Sequence, residues 1–142
     1  SMAKRWSKLQ KAFYEIRVKS LPLQIHCSSI KMNSSHNTVP RYWITLEKEI
    51  IWDYPNDCGV EVDKTLYPYI NSMSSISNLI RSYIDTGKDE VLSKEFPEDI
   101  WGLIPVLRAS DRRVGNRRLK ELLESETSDR ALKVIRHRLG RK

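Results

Sequence analysis

The densest run of chemistry-bearing residues is Arg112-Arg113-Val114-Gly115-Asn116-Arg117-Arg118-Leu119-Lys120. Two arginine pairs flank a glycine at which the chain can turn. A guanidinium presents parallel N–H donors that match phosphate oxygens, and the start of a helix adds backbone N–H groups that favour an anion. Arg130, Lys133, Arg136, Arg138, Arg141 and Lys142 follow close behind. The chemistry this predicts is contact with a polyanion, nucleic acid being the commonest. The candidate residues are Arg112, Arg113, Arg117, Arg118, Lys120, Arg136 and Arg138. A helix–turn–helix that reads DNA has this form, although the run carries no aromatic on which a base would stack. The alternative is that the arginines pair with Asp111, Glu121, Glu124 and the acidic residues of the middle of the chain.

Other constellations are weaker. His26, Cys27, His36 and Cys58 match no compact metal-ligand spacing, and neighbours on a strand point to opposite faces, so no metal is expected. Cys27 reads as a small core residue. Asp53, Asp57, Glu61 and Asp63 surround a turn, and Asp53, Glu61 and Lys64 are the nearest approach to a metal-dependent nuclease site. Solvated loop charges explain them better. The five glycines are isolated, so there is no phosphate-cradling loop, and no nucleophile elbow occurs. Enzyme activity is the less favoured class, and no cofactor is expected. Trp43, Trp52 and Tyr54 mark a possible protein-interaction surface if they face solvent; burial beneath helices is the favoured alternative.

These residues need a scaffold. A chain of 142 residues, 39% hydrophobic and 30% charged, has the size and apolar content of one domain spanning 1–142, with Ser1-Met2-Ala3 reading as an expression-tag remnant. No apolar run approaches the ~20 residues that cross a bilayer, and no leader-like stretch is visible. Two cysteines in a chain this short fit free thiols in a reducing, cytoplasmic setting. The net charge of +7 is unevenly spread: residues 1–20 carry +5, residues 21–107 carry −5, and residues 108–142 carry +7.

Periodicity supplies the elements. Trp6, Leu9, Phe13 and Ile16 lie on one stripe of a helix over 4–19. Leu23, Ile25 and Cys27 alternate with polar residues as a strand that continues weakly through Ile30 and Met32, before a polar loop over 33–38. Tyr42, Ile44 and Leu46 begin a β-hairpin completed by Ile50-Ile51-Trp52. Residues 60–72 are ambiguous between edge strand and loop. Ser74 or Ser75 can cap a helix built on Ile76, Leu79, Ile80, Tyr83 and Ile84 and ended by Gly87. A short helix is expected over 89–94, and a third main helix over 106–114. Asn116 can cap another over 117–124, and Ser128 or Asp129 starts the last, to about 139. The fold class predicted is α+β: a small antiparallel sheet of about three strands packed against an N-terminal helix and a C-terminal set of helices.

Five stretches carry a family resemblance: Arg5 to Lys11, Leu23 to Cys27, Pro40 to Pro55, Ile76 to Thr86 and Leu107 to Leu119. Together they resemble small bacterial proteins of accessory or mobile DNA, of the integron gene cassette type. The resemblance implies a self-contained cytoplasmic bacterial domain, with no activity, cofactor or catalytic residue to carry over. The functional expectation is a non-catalytic binding protein whose partner is nucleic acid or an acidic protein. The alternatives are an adaptor or immunity-like interaction module and, after it, a small metal-dependent enzyme.

Overall fold

The computed structural model describes residues 2–31, 38–61 and 73–141. The elements are α1 (Met2–Ile16), β1 (Leu23–Lys31), β2 (Thr38–Leu46), β3 (Glu49–Tyr54), α2 (Met73–Ile84), α3 (Leu103–Ser110), α4 (Asn116–Ser125) and α5 (Asp129–Arg138), with a 3-10 turn at Lys88–Glu90. This is the expected α+β architecture, with one antiparallel sheet in the order β1-β2-β3. The loop over 33–37 and the ambiguous stretch 62–72, with Val62, Leu66, Tyr67 and Tyr69, lie outside the described residues. So do Met32, His36, Asp63 and Lys64.

Alternation on the strands sets the buried face. Leu23 pairs with Leu46, Ile25 with Ile44, Ile44 with Trp52, and Tyr42 with Tyr54. All of these side chains are 8% exposed or less. Strict alternation would turn Ile51 to the opposite face. Instead the register shifts between Ile44 and Thr45, so that Thr45 faces Ile50 and Ile44 faces Trp52. Ile51 is the extra residue of a bulge and packs inward. The hairpin closes over Glu47 and Lys48, both at positive φ (49° and 70°). That is the two-residue geometry whose twist matches the flanking strands.

α1 lays Leu9 and Phe13 into the core and shields the outer edge of β1 with its next row of side chains. Gln10 Nε2 donates to Ile25 O (2.7 Å), Ile25 N donates to Tyr14 Oη (3.1 Å), and Arg17 Nη1 donates to Leu23 O (2.6 Å). A bare strand edge is a template for unwanted pairing, and these three groups cover part of it. Ile76, Leu79, Ile80 and Tyr83 of α2, Leu103, Ile104, Val106, Leu107 and Ala109 of α3, and Ala131, Val134 and Ile135 of α5 complete the same core. Trp52 Nε1 donates to Trp101 O (2.8 Å), fastening the sheet to the loop before α3.

Several boundaries differ from expectation, each for a local reason. α1 stops at Ile16 because Arg17 forms a β-bridge with Asp111. α2 begins at Met73, so Ser74 and Ser75 sit inside its first turn, and it ends at Ile84, with Gly87 in an extended conformation (φ −68°, ψ 155°). The helix expected over 89–94 is only the turn at Lys88–Glu90. α3 starts earlier, at Leu103, because Asp99 accepts from Leu103 N and Ile104 N (3.1 and 2.8 Å) and so satisfies its first turn. It ends earlier too, at Ser110, where the carbonyls of Ala109, Asp111 and Val114 turn to Arg138. Gly115, not Asn116, occupies the N-cap of α4, with no side-chain bond there. Ser128 caps α5 by accepting from Ala131 N.

Candidate nucleic-acid interface

The turn between α3 and α4 divides the predicted arginines into two groups. Arg113 points inward. Its Nε and Nη2 hold both oxygens of Asp111 (3.0 and 2.8 Å), and its Nη1 donates to Thr86 O (2.6 Å). Asp111 is completely buried, and Tyr83 Oη also donates to it at 2.5 Å. Burial first, then the neighbouring carboxylate, pushes the Tyr83 hydroxyl well above its ordinary pKa, while the Asp111 hydrogen bond raises that of Arg113. Arg138 is also drawn inside. Its guanidinium donates to Ala109 O, Asp111 O and Val114 O at 2.9, 3.1 and 2.7 Å, and burial lowers its pKa. Two of the predicted phosphate contacts, Arg113 and Arg138, are therefore corrected: they clamp the α3–α4 turn, because carbonyls and a carboxylate buried there need donors.

The second group faces water. Arg112, Arg117, Lys120 and Arg136 are exposed and Arg118 is half-buried. None of these five forms an ion pair among the described residues. Arg112 also joins the two ends of the chain. Its backbone N donates to Ile16 O (2.7 Å) and its Nε to Glu15 O (2.7 Å), while Val18 N donates to Ser110 O (2.8 Å). The C-terminal end of α1 thus abuts the arginine turn. On α1, Lys8, Lys11 and Glu15 follow a helical stripe on the exposed side, opposite Leu9 and Phe13, and Arg5 is exposed as well. Lys8 lies about 10 Å along the helix axis from Glu15. Cations of the N-terminal segment therefore lead to Arg112 with Glu15 as the acid among them. The sequence signal for this row is the i, i+3, i+7 spacing of Lys8, Lys11 and Glu15, off the apolar stripe of Leu9 and Phe13.

α5 is different. Arg130 pairs with Asp57 (2.8 Å), Lys133 with Glu49 (3.7 Å) and His137 with Glu47 (3.0 Å). These three residues form one helical row facing the acidic β2–β3 hairpin and the turn after it, so part of the basic C-terminal charge is met by the acidic middle of the same chain.

The aromatic surface is corrected in the same way. Trp52 and Tyr54 are each 1% exposed, because their register places them on the core face, so neither can present a docking surface. Trp43 lies on the other face, half-buried. His26 stacks on it (centroids 5.0 Å apart, planes at 19°), and the Arg41 guanidinium lies 4.5 Å from its ring centre. Arg41 in turn grips both oxygens of Asp53 (3.0 and 2.8 Å). His26, Trp43 and Asp53 are register neighbours across all three strands, so this row is a cross-strand stack closed by an ion pair. Burial lowers the pKa of His26, whose Nε2 bonds Thr45 Oγ1 (3.1 Å). Asp53, the first residue of the imagined nuclease site, is committed to Arg41. No cluster of three metal-ligating side chains occurs among the described residues. Both cysteines are free thiols, Cys58 being fully buried. No helix among the described residues is long and apolar enough to cross a membrane.

Comparison with known proteins bears on the N-terminal part. No curated protein and no solved structure matches the chain. Residues 5–70, which run from α1 through the whole sheet, match the SF0329 protein family, so this stretch is similar to that family, while α2 to α5 and the exposed arginines of α4 lie beyond the match.

Proposed function

We propose that this chain is a non-catalytic binding protein that contacts nucleic acid through a basic surface shared by α1 and the α3–α4 turn. The carrying observation is the seam at Arg112, whose backbone N donates to Ile16 O and whose Nε donates to Glu15 O, so that the end of the helix bearing Lys8 and Lys11 abuts the turn that leads into α4. Cations that form no ion pair among the described residues, on a protein of net charge +7, attract phosphates by displacing condensed counter-ions. The working residues are Lys8, Lys11, Arg112, Arg117, Arg118 and Lys120, with Arg113 and Arg138 as their internal support. A cytoplasmic setting and the resemblance to integron cassette proteins belong to the same proposal, the free thiols supporting the former.

The test is a salt titration of binding to labelled duplex and single-stranded oligonucleotides by fluorescence anisotropy. Each phosphate neutralised contributes about −0.9 to the slope of log K against log salt on duplex DNA. Replacing Lys11 and Arg117 with Gln is expected to flatten that slope by roughly 2 while leaving the thermal midpoint in place. Absence of binding to either nucleic acid at low salt ends the proposal. Binding only to an acidic protein under the same conditions would favour the interaction-module alternative.

A further inference from the structure

The aromatic side chains among the described residues are all buried or half-buried, and the half-buried ones are Trp6, Tyr14, Trp43 and Phe96. Each is already engaged. Trp6 meets the Tyr42 ring edge-on, with centroids 5.6 Å apart. Tyr14 carries the Arg17 guanidinium 4.3 Å from its ring centre, and its hydroxyl accepts from Ile25 N. Trp43 is stacked on His26 and lies against Arg41, which both oxygens of Asp53 hold in place. Phe96 has Lys94 Nζ at 5.1 Å and the Arg108 guanidinium at 5.7 Å, and Arg108 is itself tied to Val91 O. α4 and α5 contain no Phe, Tyr or Trp, and His137 of α5 bonds Glu47.

Resting on the nucleic-acid reading above, we infer that the partner is a duplex and not a single strand. Proteins that hold single strands add aromatic platforms on which the bases stack to a positive groove that tracks the backbone. Here a base could stack over Arg41's place on Trp43 only by lifting Arg41 from Asp53, and over Arg108's place on Phe96 only by freeing Arg108 from Val91 O. The cations Lys8, Lys11, Arg112, Arg117, Arg118 and Lys120, by contrast, form no ion pair among the described residues. Such a surface recognises backbone charge, and a duplex presents it most densely, one phosphate per ~1.7 Å of axis. With these six cations engaged, log K falls with log salt at a slope of about −5.4 on duplex and about −4.2 on single strand. Counted from ~1 M salt, where the electrostatic contribution vanishes, the duplex is favoured roughly tenfold at ~0.1 M. DNA and RNA duplexes share this chemistry.

Anisotropy titration of the full chain at ~0.1 M salt tests this, with labelled DNA and RNA duplexes and each of their separated strands, chosen free of self-complementarity. The expected result is that at least one duplex binds roughly tenfold more tightly than its own strands, and that the gap narrows as salt is added. Intrinsic tryptophan emission is read in the same titrations. It should not change when a single strand binds, because Trp43 stays between His26 and Arg41. Strands that bind as tightly as both duplexes, or that quench tryptophan emission by stacking, overturn the inference and leave the nucleic-acid reading standing. A chain that binds neither duplex nor strand ends that reading, and the inference with it.

Discussion

Replacing Asp111 with Asn tests whether the α3–α4 turn is held from inside. The carboxylate is fully buried. It accepts from Tyr83 Oη at 2.5 Å, from Arg113 N at 2.8 Å, and from Arg113 Nη2 at 2.8 Å. An amide of the same shape keeps the volume but removes the charge, and its NH2 must face a donor. The Arg113 guanidinium, only 14% exposed at the side chain, then loses its counter-charge. Breaking a buried pair from one side costs about 3–5 kcal/mol. That is a large share of the ~5–15 kcal/mol that holds a domain together. Urea unfolding followed by tryptophan fluorescence is the natural assay, since Trp52 and Trp101 are both core residues. With a slope of ~2 kcal/mol per molar, the midpoint should fall by about 1.5–2.5 M. Adding Arg113→Met to the same chain should recover part of the loss, because the cation left without a partner is then gone. A loss under about 1 kcal/mol, or two substitutions whose effects simply add, would refute the reasoning.

Two further outcomes follow from local geometry. Lys48 sits at φ 70° in the hairpin turn, a conformation that costs a residue bearing a Cβ roughly 1 kcal/mol, so Lys48→Gly should raise stability by about 0.5–1 kcal/mol in the same urea assay. Burial pushes the Tyr42 hydroxyl up to about 12 from an ordinary value of 10.0, against a partial offset from its Ser77 hydrogen bond. The folded state then holds a proton that the unfolded chain releases first, so this contribution is intact below pH 10 and is lost as pH rises toward 12. The loss amounts to about 2–3 kcal/mol and is read as a falling thermal midpoint across that window; Tyr42→Phe should blunt the fall.

Much of the scaffold was legible because its signals are local. Apolar spacing of Leu9 and Phe13 on α1, of Ile76, Leu79, Ile80 and Tyr83 on α2, and alternation along Leu23–Ile25 and Tyr42–Leu46 each report which face is buried, whatever lies opposite. The hairpin was legible from two β-rich runs set close together, although its turn lacks the glycine that usually announces one. What these patterns could not convey were the bulge at Ile51 and the ends of α3. The start of α3 depends on the Asp99 carboxylate, and the turn after it on Arg138, a group brought in by the fold rather than by sequence neighbourhood.

The candidate site shows the same division more sharply. Composition alone determined that both ends of the chain are basic and its middle acidic, since charge is a property of residue types. Only the tertiary structure decided where each charge is used. Arg113 and Arg138 satisfy buried oxygens, Arg130, Lys133 and His137 face the acids of the hairpin, and Arg112 meets the end of α1. The physical reason is that an arginine's role depends on which acceptors come within about 3 Å of its guanidinium, and such an acceptor can lie far along the chain, 97 residues away for Arg112 and Glu15 O.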